Sequence, residues 1–542
     1  MEKKILIFCF FFIYAGTLKS QEDFYTHADT LRGSNTDERA WWDVVHYDIH
    51  ASFYVGDSSV SGCNVITYRV EKPGYLLQLD LREPMLIDSV VQNTKRCNWK
   101  RDGQAFVVTL AAPQLIGTFY TLQVYFRGKP QVAKLPPWDG GLVWTHDSKD
   151  NSWISIACQG IGASVWYPCK DQQYDEIDSA SIHITAPENL VSVSNGRLRN
   201  KSTNGNGTAT YNWVVKNPIN NYNIIPYIGK YVNFKDTFLG EAGILDLDFW
   251  VLEENLAKAR QQFTQVKPML RCFEKWFGPY PFYGDGYKLV EAPYLGMEHQ
   301  SAVAYGNKFE NGYKGRDLSL TGWGLKWDFI IIHESGHEWF ANNITAKDVA
   351  DNWIHEGFTT YSENLYTEFL FGKEAGSEYV IGTRNAVLND KPVIGVYGVN
   401  VEGSGDMYYK GANMLHTIRY IVNNDSLWMA LLRDMNKTFW HQTVTSRQVE
   451  EYMISYLKVD LQKMFDQYLR TTKIPVLEYK ISKNTLHYRW ANCVEGFYMP
   501  VDLIDRKATI RIYPSEEWKT SEYKSSELKV APDFYIKIKK VS

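Results

Sequence analysis

Residues 327–340 read Trp-Asp-Phe-Ile-Ile-Ile-His-Glu-Ser-Gly-His-Glu-Trp-Phe, and this stretch restricts the fold more than any other. Its apolar run Phe329–Ile332 is expected to bury, and the H-E-x-x-H that follows places two histidines four residues apart. On a helix, positions four apart share a face, so His333 and His337 can aim two imidazole nitrogens at one ion. Glu334, one residue along, is expected beside that ion without being a ligand, the place of a general base. A buried face of this composition is costly unless a metal or partners satisfy it.

A third ligand lies within reach. Residues 351–363, Asp-Asn-Trp-Ile-His-Glu-Gly-Phe-Thr-Thr-Tyr-Ser-Glu, read as a second helix capped by Asp351 or Asn352. Glu356 on that helix completes a set of two histidines and one glutamate with an open fourth position, the pattern of hydrolytic zinc. One Zn2+ per chain is therefore expected on His333, His337 and Glu356. Glu363, two turns on, can orient a ligating histidine from behind. His355 points roughly 100° away from Glu356 round the helix and reads as structural.

At 542 residues the chain is too long for one ordinary domain. Met1–Lys4 is basic, Ile5–Gly16 apolar, and Thr17–Ser20 small and polar. The apolar run is shorter than the roughly 20 residues that cross a bilayer, so residues 1–20 are expected to be a cleaved signal peptide. The mature chain would then be exported, to the periplasm or outside the cell, without stable membrane insertion. A net charge of −4 and the absence of long like-charge runs argue against nucleic acid as a partner. Six cysteines remain beyond Cys9. Cys63 with Cys97 and Cys158 with Cys169 are candidate pairs, and buried free thiols fit equally well.

Strand patterns with recurrent turn signals run through residues 21–240, giving an N-terminal β domain. Periodicity changes near Asp246. Residues 253–277 carry apolar positions at helical spacing, interrupted at Pro268, and helix dominates from Trp323 to about Thr472. This gives a mainly helical catalytic domain over 241–473. Residues 474–542 return to strand patterns and suit a small β-sandwich. The fold class expected is multidomain α+β.

These motifs together resemble the aminopeptidase N and leukotriene A4 hydrolase family of zinc metallopeptidases. H-E-x-x-H is followed by Glu356 within W-x-x-E-G-F. Leu295-Gly296-Met297-Glu298-His299 is similar to the family's Gly-x-Met-Glu-Asn exopeptidase motif. Tyr408-Tyr409-Lys410-Gly411 matches its Tyr-x-Lys-Gly segment, and Gln159 with Tyr167–Asp171 matches features of its β domain.

The resemblance implies a thermolysin-like catalytic domain and a zinc aminopeptidase that uses zinc-activated water on peptides with a free N-terminus. It assigns Glu298 to the substrate α-ammonium, with Gln159, Gly296 and Met297 in the substrate site, and Tyr408 to the oxyanion. An endopeptidase, an epoxide hydrolase of the same family, and a non-catalytic binding homologue are the alternatives. The chain departs from the family at Leu295 and His299. Leu295 alters the first specificity pocket, and His299 either keeps a hydrogen bond or adds a group titrating near neutrality. Ala341 for glycine reads as a mild change. The resemblance does not extend to the C-terminal helical domain many members carry, so a more open mouth is expected.

Overall fold

The computed structural model describes residues 25–505 and 508–542, so the expected signal segment lies outside the described residues. The N-terminal β-rich region is built on an eight-stranded sheet. In spatial order its strands are Arg197–Thr203, Thr208–Val215, Ser179–Pro187, Trp42–Tyr54, Ser59–Val70, Phe119–Gly128, Leu86–Gln92 and Lys95–Arg96. Its third and fourth strands, Ser179–Pro187 and Trp42–Tyr54, are parallel, with His46 opposite Ser179 and Ser52 opposite Thr185.

The strand period of two explains the burial along this pair. Ala180, Ile182, Ile184 and Ala186 point inward and are buried, whereas Ser181, His183 and Thr185 alternate with them on the outer face. A four-stranded and a three-stranded sheet pack with it around a core that includes Trp42, Tyr47, Trp166 and Tyr167. A short helix, His27–Gly33, precedes these strands and opens with a capping box between Thr26 and Asp29.

Strand Tyr231–Gly240 pairs along its whole length with Gly243–Leu252. The boundary expected at residue 240 therefore falls within a hairpin. The change of periodicity near Asp246 lies inside its second strand, and helix begins only at Leu256. This hairpin joins Tyr287–Glu291, Val303–Tyr305 and Gly296–Met297 in a five-stranded sheet. Alternation divides the sheet between two cores: Leu247, Phe249, Leu289 and Val303 face the helices, while Val290, Met297, Ala302 and Ala304 face the β-rich region. Gly296-Met297 thus lies where the two cores meet.

The helical region runs through Val266–Phe277, Phe329–Gly336, Trp353–Phe371, Lys373–Gly382, Tyr409–Val422, Asp425–Thr438, Ser446–Leu457 and Gln462–Arg470. Pro268 sits inside the first turn of Val266–Phe277. The interruption falls just before it, as a tighter 3-10 turn at Phe263–Gln265. Proline is tolerated in a first turn because the N–H it lacks has no intrahelical acceptor there.

The C-terminal strands form a four-stranded sheet and a hairpin of Val501–Asp505 with Ala508–Ile512. They share a core with the helices: Leu477, Trp490 and Phe534 belong to the same buried cluster as Met464 and Tyr468. Arg511 seals the join, donating to the carbonyls of Tyr420 and Ile421, each at 2.7 Å.

No helix among the described residues is long and apolar enough to cross a membrane. All six described cysteines are free thiols, so neither candidate disulfide forms.

Candidate active site

The helix Phe329–Gly336 starts at Asp328, whose carboxylate accepts from the backbone N–H of Ile330 at 3.0 Å and of Ile331 at 3.3 Å. Tyr305, Asn307 and Gln262 donate to the same carboxylate at 2.7–2.8 Å. A buried anion is tolerable when it accepts this many bonds, and it pins the start of the helix. Every residue of the helix is buried.

His333 emerges from its last turn and His337 from the position just after it. Their Nε2 atoms are 3.3 Å apart, and Glu356 Oε2 lies 3.6 Å from one and 3.4 Å from the other. Three ligand atoms bonded tetrahedrally at about 2.0–2.1 Å stand roughly 3.3–3.4 Å from one another. Glu356 Oε2 is buried and has no hydrogen-bond partner. The spacing and the orphaned oxygen together fit zinc.

The ring orientations are fixed from behind. His333 Nδ1 donates to Glu363 Oε1 at 2.7 Å, and Tyr379 donates to Glu363 Oε2 at 2.5 Å. His337 Nδ1 is 3.0 Å from the Phe340 carbonyl. Each contact makes Nδ1 the donor and turns the Nε2 lone pair toward Glu356.

Glu356 and Glu363 sit on Trp353–Phe371. Asn352 occupies the cap position of that helix but makes no capping bond. Asp351 turns away to accept from Tyr397 at 2.8 Å and from Ser446, so neither expected cap acts as one. Gly357 packs against Gly411: a Cβ on Gly411 would lie 3.0 Å from Gly357 Cα. This close approach brings the start of Tyr409–Val422, and Tyr408 with it, over the site. The Tyr408 ring stacks near His333, with centroids 6.1 Å apart. Lys410 instead supports the frame, donating to the Thr471 carbonyl at 2.8 Å.

Burial pushes Glu334 up to about 7 against the opposing pull of His333 and His337. Gly296 makes room for it, since a Cβ there would lie 2.7 Å from Glu334 Oε1. Glu298 is buried at the other wall of the cavity, and its Oε1 accepts from Gln159 at 2.7 Å and from Tyr222 at 2.9 Å. Asn342 holds the Glu298 carbonyl at 2.8 Å.

One cavity of about 440 Å³ is bounded by His333, Glu334, His337, Glu356, Glu298 and Tyr408. Gln159, Gly296, Met297 and Glu363 also reach it, so all ten site residues read from the sequence come together. Two further side chains were missed. Tyr222 lies in the short turn Asn221–Asn223, and Glu402, on the cavity wall, accepts from Asn352 at 2.7 Å. Neither has a periodicity or motif that would reveal it.

The departures from the family pattern resolve differently. Leu295 is buried at the cavity wall. His299 binds the Tyr227 hydroxyl through Nδ1 at 2.6 Å, and burial lowers it to about 3, so it stays neutral and adds no titrating group. His355 is likewise held at about 3 by burial and accepts from the Ala346 N–H at 2.7 Å, in keeping with a structural part. Ala341 is not a mild change. Its φ of 137° lies in a region where any side chain is strained and glycine is favoured.

Two imidazoles and a carboxylate held by two packed helices beside a β-rich half form a ligand set suited to hydrolytic zinc. Residues 263–468 match the peptidase family M1 domain. It is 22% identical over 408 residues to leukotriene A-4 hydrolase of Xenopus laevis, covering 68% of this chain and 63% of that protein. To aminopeptidase B of Mus musculus it is 23% identical over 447 residues, covering 78% of this chain and 61% of the relative. The matches thus span less than two thirds of either relative. Among solved structures, the M1 zinc metallopeptidase of Deinococcus radiodurans shares the fold, with a TM-score of 0.68 and 22% identity, over 80% of this chain and 95% of that one. A variant of that protein bound to a Tyr-Ser-Ala substrate aligns with a TM-score of 0.69, covering 81% and 96%.

Proposed function

We propose that the chain is a zinc-dependent aminopeptidase that removes N-terminal residues from peptides. The observation carrying this reading is Glu298, a buried carboxylate fixed by Gln159 and Tyr222 in the same cavity as the three ligands. Both neutral donors approach Oε1, which leaves Oε2 free to accept from an ammonium group. An internal peptide bond has no such cation, so this carboxylate selects chain ends.

His333, His337 and Glu356 would hold zinc, which supplies a Lewis acid for the scissile carbonyl and a water of lowered pKa. Glu334, buried beside the ligands, takes the proton of the attacking water and delivers it to the departing amine. Tyr408 donates its hydroxyl to the oxygen on which negative charge develops. Leu295 and Glu402 shape the space beside the first side chain. Export of the protein is proposed on the pattern of Met1–Ser20 alone.

A panel of aminoacyl chromogenic substrates, assayed with and without a chelator, tests the proposal. Chelator-sensitive release from free aminoacyl substrates is expected. Equal release in the presence of chelator, or none from any aminoacyl group, would refute it.

A further inference from the structure

The outer face of the eight-stranded sheet carries a second group of ligand-type side chains that the proposed reaction does not use. Residues two apart on a strand share a face, so Asp48 and His50 stand together on Trp42–Tyr54. The parallel register sets His183 directly beside His50. The two imidazoles stack, with centroids 4.3 Å apart and planes 12° apart.

His50 Nε2 is 3.1 Å and His183 Nε2 2.9 Å from one atom, Asp48 Oδ1. Apart from these two contacts, Oδ1 is shielded from solvent and has no polar partner. The catalytic centre has the same signature: Glu356 Oε2 stands near two Nε2 atoms and is likewise without a partner.

His183 is oriented as a ligand would be. Its Nδ1 lies 2.5 Å from Asn212 Oδ1, so Nδ1 carries the proton and Nε2 is left for a metal. Ligand atoms bonded at about 2.0–2.1 Å at right angles stand roughly 2.9 Å apart. The 2.9 and 3.1 Å separations from Oδ1 lie close to the edge lengths of a first-row metal's coordination shell, zinc included. Two imidazoles select against magnesium and calcium, which prefer oxygen donors. The His50 side chain is 52% exposed, so its ring can turn out of the stack to meet an ion and water can complete the coordination.

We propose that Asp48, His50 and His183 form a second metal site, which binds a divalent first-row transition-metal ion and ties the two parallel strands together. The site is independent of the catalytic reading.

The experiment uses zinc-loaded full-length protein dialysed against micromolar Zn2+, with the metal counted by mass spectrometry. Two zinc ions per chain are expected in the wild type and one in the His50→Ala/His183→Ala variant. Peptide hydrolysis should be unchanged in that variant, whereas Glu356→Gln should lose the other ion. His50→Gln, an exposed change that leaves the fold intact, should weaken the second ion at least tenfold. Zinc should also raise the melting temperature of the wild type beyond that of the double variant. One zinc in the wild type, or a second zinc retained by the double variant, would overturn the proposal.

Discussion

Glu298→Gln isolates what distinguishes an aminopeptidase from a general zinc peptidase. The substitution keeps shape and removes charge. Glu298 is 2% exposed, and its Oε1 is already occupied by Gln159 and Tyr222, so an ammonium group binds the other oxygen. A hydrogen bond between charged groups in a buried setting contributes about 1.5–3 kcal/mol. Each 1.4 kcal/mol is a factor of ten, so kcat/KM for a free aminoacyl substrate should fall about 10- to 150-fold. The assay compares kcat/KM on one peptide with a free and with an acetylated N-terminus, alongside zinc content and melting temperature. Only the free-amine rate should fall, with zinc content intact. A variant that keeps kcat/KM within threefold on the free peptide would show that Glu298 does not hold the ammonium group.

Other consequences follow from particular contacts. Glu363→Gln removes the charged acceptor behind His333, and zinc affinity should drop about 10- to 100-fold in chelator competition; unchanged affinity would count against its orienting role. Ala341→Gly relieves a strain of about 1–3 kcal/mol at a cost in chain entropy of about 0.5–1 kcal/mol. It should raise the melting temperature by about 1–3 °C in calorimetry, and a lower value would contradict the strain. His299 is lowered to about 3 in the fold, below its unfolded value of about 6.5. Its contribution is therefore intact above about pH 6.5 and lost as pH falls, because the unfolded chain gains a proton the folded one refuses. Between pH 7.5 and 5.5, wild type should lose about 1.4 kcal/mol relative to His299→Gln, measured by denaturant unfolding; parallel losses would refute a neutral His299.

The legible parts of this protein are those whose chemistry is local in sequence. His333, Glu334 and His337 share one helical turn, and Glu356 and Glu363 lie two turns apart on the next helix, so helical spacing sets each group on one face. Glu298 and Tyr408 were legible only through resemblance, because their role depends on a five-stranded sheet and a Gly357–Gly411 contact that no periodicity reveals. Tyr222 and Glu402 come from irregular segments.

A hairpin spans the boundary read at residue 240, a pairing that periodicity does not reveal. The C-terminal strands read as a separate sandwich because strand patterns do not tell which core they join. A backbone angle such as that of Ala341 leaves no mark in composition. Asp48, His50 and His183 meet only through parallel pairing of distant strands, a register no local pattern specifies.

The most direct test of the central claim is zinc titration of metal-free protein with one peptide offered in free and acetylated forms. Hydrolysis of the free peptide should rise with zinc and plateau once His333, His337 and Glu356 are filled, at one equivalent, while the acetylated peptide stays uncut. Full activity without metal, or equal cleavage of both peptides, would contradict the account.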